Sequence, residues 1–302
     1  MHLSYRRSYK QRRRMRNIIV FIIIAIVFVV ASFFVMYLRS LDFGSKGRQS
    51  AVLERIVLTP LNLKHFRMVK VSSHENFNEP GVDHNLEVVH GDNHYDETYY
   101  TLFDKAVTDD YFADALFIGD SRTEGFFMYT GIQNIEAYYS KGLNIEDIYK
   151  DKIVKLDGKK LTVLEALEKK QYGKIYIMFG VNELGWAFDY LFQEQYAKLV
   201  DDIIALQPNA IIYVQNILPI SAKRSATDKI YNNDNVNHFN DLIVEFCQAR
   251  PQVVYLDVAS SVKDETGALP EGASTDGVHC NKDYCMMWYN YLKTNTFTKN
   301  AE

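Results

Sequence analysis

A serine and a distant histidine in this chain could carry out nucleophilic catalysis together. Ser121 ends the segment 119–121, Gly-Asp-Ser, and His279 stands three residues after Asp276 near the C-terminus. A neutral imidazole can take the proton of a serine hydroxyl, and a carboxylate on its other ring nitrogen fixes the tautomer. A serine at a strand-to-helix turn is also a good helix N-cap, so the segment around Ser121 alone leaves its role open. The Asp–His pair, close before a final apolar helix, favours the catalytic interpretation.

Two further positions could stabilise negative charge on a reacting oxygen. Gly142 follows a second apolar run, and Asn182 follows a third almost directly. A backbone N–H at a glycine and an asparagine amide can both donate to a developing oxyanion. A turn glycine and a helix-capping asparagine are the simpler alternatives. Because ligands bind outside the carboxyl ends of parallel strands, three such candidates at three strand ends predict one pocket.

The elements that must position these residues alternate along the chain. Short runs rich in β-branched and aromatic residues are typical of strands buried on both faces, and the segments between them have helical spacing. This alternation predicts an α/β fold with a parallel sheet of about five strands, covered by helices on both faces. The expected strands are 115–119, 134–138, 174–180, 210–216 and 252–257, and the expected helices include 161–167, 191–204 and 283–292.

Four segments, in this order and spacing, resemble the sequence blocks of the SGNH/GDSL hydrolases. They are 119–121 (Gly-Asp-Ser), Gly142, 180–183 (Gly-Val-Asn-Glu) and 276–279 (Asp-Gly-Val-His). The resemblance covers roughly residues 110 to 295 of the chain. Four blocks in register are a far more specific signal than any one of them.

The resemblance implies a flavodoxin-like, three-layer α/β/α fold and a serine esterase. Ser121 would be the nucleophile, His279 the general base and Asp276 its orienting acid. The backbone N–H groups of Ser121 and Gly142, with the Asn182 side chain, would form the oxyanion hole. This chemistry requires no metal and no organic cofactor.

Two positions depart from the pattern of that family, and with Trp186 they are the residues we expect at the substrate. Arg122 stands where the family commonly has leucine, and Glu183 where it usually has aspartate. Neither change removes a catalytic atom, so they concern the shape and charge of the pocket. Arg122 is expected either as a surface residue paired with Glu124 or Asp120, or as a contact for an anionic substrate.

The N-terminus has the pattern of a membrane anchor. Residues 1–17 hold seven basic residues and no acid, and residues 18–38 are almost wholly apolar and uncharged. Twenty-one helical residues span about 31 Å, the thickness of a bilayer core, and the stretch is too long for a signal peptide. Only Arg39 follows immediately, so the positive-inside rule predicts a cytoplasmic N-terminus and an extracytoplasmic remainder.

The remainder is expected to divide into a stalk or lead-in, residues 39–110, and a hydrolase domain, residues 111–302. The stalk carries five of the eight histidines, which we interpret as solvated polar residues because their spacing matches no tight ligand pattern. Three cysteines are too few for a disulfide framework; Cys280 and Cys285 could pair, or all three could be small buried thiols. The five histidines are His65, His74, His84, His90 and His94.

Three hypotheses about function remain. The first is an esterase acting on an acylated small molecule or an envelope polysaccharide. The second is an acyltransferase to a cell-wall sugar, which would need a partner to deliver the acyl group across the membrane. The third is an inactive glycan-binding or scaffold protein. Nucleic acid is excluded as a partner, because the chain after residue 17 is distinctly acidic.

Overall fold

A computed structural model describes residues 91–300 and the backbone of residues 66–68. It contains eleven strands within that described part. The strands are β1 (Phe66–Met68), β2 (His94–Asp96), β3 (Tyr100–Leu102), β4 (Ala115–Gly119), β5 (Glu136–Tyr139), β6 (Val154–Leu156), β7 (Lys159–Leu161), β8 (Lys174–Met178), β9 (Ile211–Gln215), β10 (Val253–Leu256) and β11 (Phe297–Lys299). The α-helices are α1 (Ser121–Thr130), α2 (Val163–Leu167), α3 (Asp189–Leu206), α4 (Ala222–Ser225), α5 (Asn233–Gln248) and α6 (Lys282–Thr294).

Seven of the strands form one mixed sheet, in the order β1-β2-β10-β9-β8-β4-β5. The five strands from β10 to β5 are parallel, and each lies within one of the predicted strand segments or overlaps it. The expectation of a purely parallel sheet is wrong at one edge, where β1 and β2 run antiparallel. Both are three-residue strands, too short to show a hydrophobic period. Two further pairs, β11 with β3 and β6 with β7, lie outside this sheet.

Helices cover both faces of the sheet, because successive side chains of a strand point to opposite sides. On β4, Leu116 and Ile118 join a core that includes buried residues of α2, α3 and α5. Phe117 faces the other way, into a core with α1 and α6. There its ring stacks on Tyr176 with ring centroids 4.5 Å apart, and Tyr176 stacks on Tyr213 at 4.4 Å. The arrangement agrees with the three predicted layers.

Capping side chains set the starts of the two helices nearest the predicted site. Helix α1 begins at Ser121 because the carboxylate of Asp120 accepts a hydrogen bond from the Arg122 N–H at 2.8 Å. Helix α6 begins after Asn281, whose side chain accepts from the Tyr284 N–H. Helix α1 therefore starts directly after β4, and helix α6 starts three residues after His279.

Residues 91–110, which fall in the predicted stalk and lead-in, contribute β2 and β3 and pack into the folded domain. Asn93 is buried and accepts hydrogen bonds from the Asp257 N–H and the Tyr291 hydroxyl, while its amide donates to Asn295. The expectation of a solvated side chain is wrong for His94, which is only 7% exposed because β2 lies against β10.

The predicted cytoplasmic tail, residues 1–17, and membrane helix, residues 18–38, lie outside the described residues, as do His65, His74, His84 and His90. Within residues 66–68 and 91–300, no helix has the length and apolar character that crossing a membrane requires. In the same part of the chain, no group of acidic, histidine or cysteine side chains is arranged to hold a metal ion. All three cysteines are free and buried, so the alternative of small buried thiols holds over a Cys280–Cys285 bridge.

Candidate active site

The structure brings Ser121, His279 and Asp276 into one hydrogen-bonded line. Ser121 Oγ lies 2.8 Å from His279 Nε2, and His279 Nδ1 lies 2.6 Å from Asp276 Oδ2. The serine comes from the first turn of α1, directly after β4, whereas the other two come from the loop before α6. This is the order of contacts in which an imidazole can take the serine proton while a carboxylate holds the ring.

A tight turn holds the carboxylate against the ring. Asp276 Oδ1 accepts hydrogen bonds from the N–H groups of Val278 and His279, at 2.8 and 2.9 Å, and from the Ser274 hydroxyl at 3.0 Å. Partial burial opposes ionisation of Asp276, but these donors and the imidazole outweigh it and lower its pKa below the ordinary value. Asp276 is therefore ionised at neutral pH and available to stabilise an imidazolium.

Gly277 is required at the centre of that turn. Its φ is +80°, and a Cβ there would lie 2.5 Å from Ser221 Oγ and 2.8 Å from Arg224 Cβ. The Gly277 carbonyl also accepts a hydrogen bond from the Ser221 N–H at 2.9 Å. The turn carrying the carboxylate and the imidazole is thus packed against the start of α4.

The three predicted oxyanion-hole positions follow the neighbouring parallel strands β4, β5 and β8. The Ser121 N–H stands in the first turn of α1, where backbone donors have no intrahelical acceptor. Gly142, with a φ of +73°, follows β5. Asn182 Nδ2 donates to the Leu143 carbonyl at 2.9 Å and approaches Asp120 Oδ2 at 3.4 Å. The Asn182 amide therefore ties the loop of Gly142 to the turn after β8.

Arg122 is buried, with 3% of its surface exposed, so the expectation of a surface residue paired with an acid is wrong. Its side chain points into the protein, where Nη1 donates to the Leu218 carbonyl at 2.8 Å. Nε and Nη2 have no hydrogen-bond partner and are shielded from solvent. Burial lowers the pKa of this guanidinium, while the nearby Asp120 raises it.

Glu183 is also buried, with 0% of its surface exposed, and its expected contact with a substrate stays a prediction. Oε1 accepts from the Ile145 N–H at 2.8 Å, which adds a second link between the Gly142 loop and the turn after β8. Burial and the negative charge of Asp120 together raise the pKa of Glu183 to about 8, although the Ile145 N–H opposes them. Sequence reasoning missed this supporting contact, which only the fold creates. Trp186 is half-buried against the core on the α3 side.

A cavity of about 310 Å³ opens beside the serine. Ser121, Asp276 and His279 lie in its wall, together with a face of α1 that includes Gly125. The side chains of His279 and Asp276 are 44% and 50% exposed, so solvent and a substrate can reach them. Gly125 was not singled out by sequence reasoning, although a glycine in the middle of a helix, four residues after the serine, is an available signal.

The comparison with protein families identifies the chain. Residues 117–283 match the model of the GDSL-like Lipase/Acylhydrolase family. The chain belongs to that family. As a GDSL-like acylhydrolase, it is an ester-hydrolysing enzyme. The matched segment includes Ser121, Asp276 and His279. No curated protein matches the chain.

Three of the solved structures that resemble this GDSL-like chain illustrate the likeness, all at low identity. A Streptococcus pneumonia protein named for platelet activating factor is 20% identical, with a TM-score of 0.49, and the match covers 60% of this chain and 82% of that one. A family 3 carbohydrate esterase from Talaromyces cellulolyticus is 14% identical (TM-score 0.42; 59% and 92% covered). An acetylxylan esterase from Geobacillus stearothermophilus is also 14% identical (TM-score 0.43; 60% and 92% covered).

Proposed function

We propose that this chain is a serine esterase that removes a short acyl group, such as acetyl, from a cell-envelope carbohydrate or lipid through an acyl-serine intermediate. The observation that carries the proposal is the 2.8 Å approach of Ser121 Oγ to His279 Nε2, with Asp276 on the other ring nitrogen. A scaffold or binding module would have no need of a carboxylate held there by four hydrogen bonds.

The first half of the reaction follows from this geometry. His279 Nε2 takes the hydroxyl proton as Ser121 Oγ attacks the ester carbonyl carbon, and the carbonyl oxygen becomes an oxyanion. The N–H groups of Ser121 and Gly142 and the amide of Asn182 are the donors for that charge. Collapse of the tetrahedral intermediate breaks the bond to the alcohol oxygen, which receives the proton from His279.

The second half regenerates the enzyme. Water gives a proton to His279 and its oxygen attacks the acyl-serine carbonyl carbon, so a second tetrahedral intermediate forms. Its collapse releases the carboxylic acid and returns the proton to Ser121 Oγ. Ionised Asp276 stabilises the imidazolium that exists in both halves.

The test of this proposal is turnover of p-nitrophenyl acetate by the full chain in mild detergent. Replacement Ser121→Ala should lower the rate at least about 1000-fold, the size expected for deleting a triad nucleophile. Thr298→Ala, at an exposed position of β11 outside the cavity lining, is the control and should keep wild-type activity. Residual activity of the Ser121→Ala chain within tenfold of wild type contradicts the proposal. Addition of sugar acceptors distinguishes the transferase alternative, because acyl-sugar would then form in place of free acetate.

We also propose that residues 18–38 anchor the chain in the plasma membrane, with the catalytic domain outside the cytoplasm. The basic residues before that stretch and the single Arg39 directly after it support this orientation. Protease added to intact spheroplasts should degrade the domain while a cytoplasmic marker survives. Protection of the domain until the spheroplasts are lysed contradicts the orientation.

A further inference from the structure

One face of α1 forms a wall of the cavity beside the serine. Ser121, Gly125, Met128 and Tyr129 all line it, and residues spaced by about four positions share one face of a helix. Met128 and Tyr129 are 66% and 38% exposed, unusually open for large side chains beside a reactive group. The wall therefore extends from the nucleophile to an apolar and aromatic rim.

Gly125 has no side chain to fill the cavity at this wall. A glycine within a helix costs about 1 kcal/mol relative to alanine. Close packing does not require it here, because a Cβ on Gly125 would meet no atom within 4 Å. Its φ is also outside the left-handed region. Because Gly125 lines the cavity, a side chain at this position would project into it. The glycine therefore lowers the stability of the helix and enlarges the cavity.

The cavity lies on the leaving-group side of the serine. Among the described residues, its lining includes Ser121 and His279 but neither Gly142 nor Asn182, two of the three candidate oxyanion donors. The imidazole that protonates the departing alcohol oxygen must stand next to that oxygen. The alcohol half of an ester held at Ser121 would therefore extend into this cavity.

Its size and lining fit one sugar ring. About 310 Å³ is at the low end of ligand-binding pockets, which suits a single ring rather than an oligomer. Met128 and Tyr129 offer surface for the C–H face of a sugar, while Glu124 and Lys141 offer hydrogen-bonding groups for its hydroxyls.

We propose that this cavity binds the alcohol half of the substrate as a single sugar residue, and that Gly125 is the specificity-determining residue that keeps it open. The inference rests on the proposed esterase function of Ser121. It adds the location and chemical class of the alcohol, which the triad alone does not specify.

The experiment compares two acetyl esters of primary alcohols, methyl acetate and 6-O-acetylglucose, on the full chain in mild detergent. Gly125→Leu should lower kcat/KM for 6-O-acetylglucose at least about tenfold and change that for methyl acetate less than about twofold, because only the sugar needs the cavity. Gly125→Ala should have a smaller effect in the same direction. Thr130→Leu, on the same helix but outside the cavity lining, is the matched control and should act on both esters as the wild type does.

Loss of folding can be separated from loss of binding. Both Gly125 variants should unfold at or above the wild-type temperature, because alanine and leucine favour a helix more than glycine does. Equal loss on both esters, or no loss on either, overturns the role of Gly125. Preference of the wild type for hexyl acetate over 6-O-acetylglucose overturns the sugar assignment. Serine-dependent hydrolysis of methyl acetate leaves the esterase proposal standing in each case, whereas its absence defeats both.

Discussion

The serine side and the histidine side of the candidate site are built in opposite ways. Around the serine, Asp120 and Glu183 are 1% and 0% exposed and carry raised pKa values, chiefly because of burial. On the other side, the His279 and Asp276 side chains are about half exposed and held by short local hydrogen bonds. Perturbed pKa values thus mark residues that support the site as well as those that react in it.

The largest expected effect tests the histidine side. In Asp276→Asn, an amide can face the ring nitrogen and favour the wrong imidazole tautomer, so kcat should fall about 10,000-fold. The free energy of unfolding should also fall modestly at neutral pH, because the lowered pKa of Asp276 means that its ionised form stabilises the folded chain. Steady-state kinetics and chemical denaturation measure both quantities, with Asp283→Asn in the first turn of α6 as the control. A kcat within tenfold of wild type would show that the carboxylate does not orient His279.

An intermediate effect tests the oxyanion donors on the serine side. Asn182→Ala removes one candidate donor and the link to the Leu143 carbonyl, so kcat should fall about 100-fold. Labelling of Ser121 by a fluorophosphonate should slow as well, since that reaction develops charge on a phosphoryl oxygen at the same place. If KM rises while kcat stays unchanged, Asn182 shapes the loop of Gly142 without stabilising the transition state.

The smallest expected effect on activity comes from Glu183→Gln, whose main consequence concerns stability. The Glu183 pKa is raised to about 8 in the folded chain, so the folded chain holds the carboxyl proton of Glu183 more tightly than the unfolded chain does. This proton stabilises the folded state fully below about pH 4.5. The stabilisation declines as the pH rises and is lost above about pH 8, a difference of roughly a few kcal/mol in the free energy of unfolding. Glutamine has no such proton and removes this pH dependence.

Urea denaturation of both proteins at pH 5 and pH 8 measures that contribution. The wild type should lose more unfolding free energy between the two pH values than Glu183→Gln does. Glu168→Gln, at an exposed position after α2, is the control and should behave as the wild type. Identical pH dependence in the wild type and the Glu183 variant would show that this carboxyl ionises normally in the folded chain.

The parallel strands were predictable because each is a short buried run with its own sequence signal. The approach of Ser121 to His279 also followed from sequence, since both stand beside elements that must meet at one edge of the sheet. Helix α5 was missed although its signal is present: Val236, Phe239 and Ile243 recur at three and four residue steps. The catalytic roles of Ser121 and His279 stay predictions until activity is measured.

Other features could not be read from the sequence, because only long-range packing creates them. Strand β2 contains His94 and Asp96, both polar and both buried, and the edge pairing sets His94 opposite Tyr255 of β10. Arg122 was expected at the surface because charged side chains are rarely buried without a partner. The fold buries it because the residue after the nucleophile points inward from the first turn of α1, where the Leu218 carbonyl accepts its hydrogen bond.

The contacts of Asn93 bear on how the enzyme should be produced for assays. Expression from residue 111, the boundary that the sequence suggests, would remove the acceptor of the Tyr291 hydroxyl and of the Asp257 amide. Leaving two such interior donors unsatisfied costs about 1 to 3 kcal/mol each, a large share of a typical domain's 5 to 15 kcal/mol. A recombinant fragment therefore has to include Asn93, and one that begins after it should be less stable for reasons unrelated to catalysis.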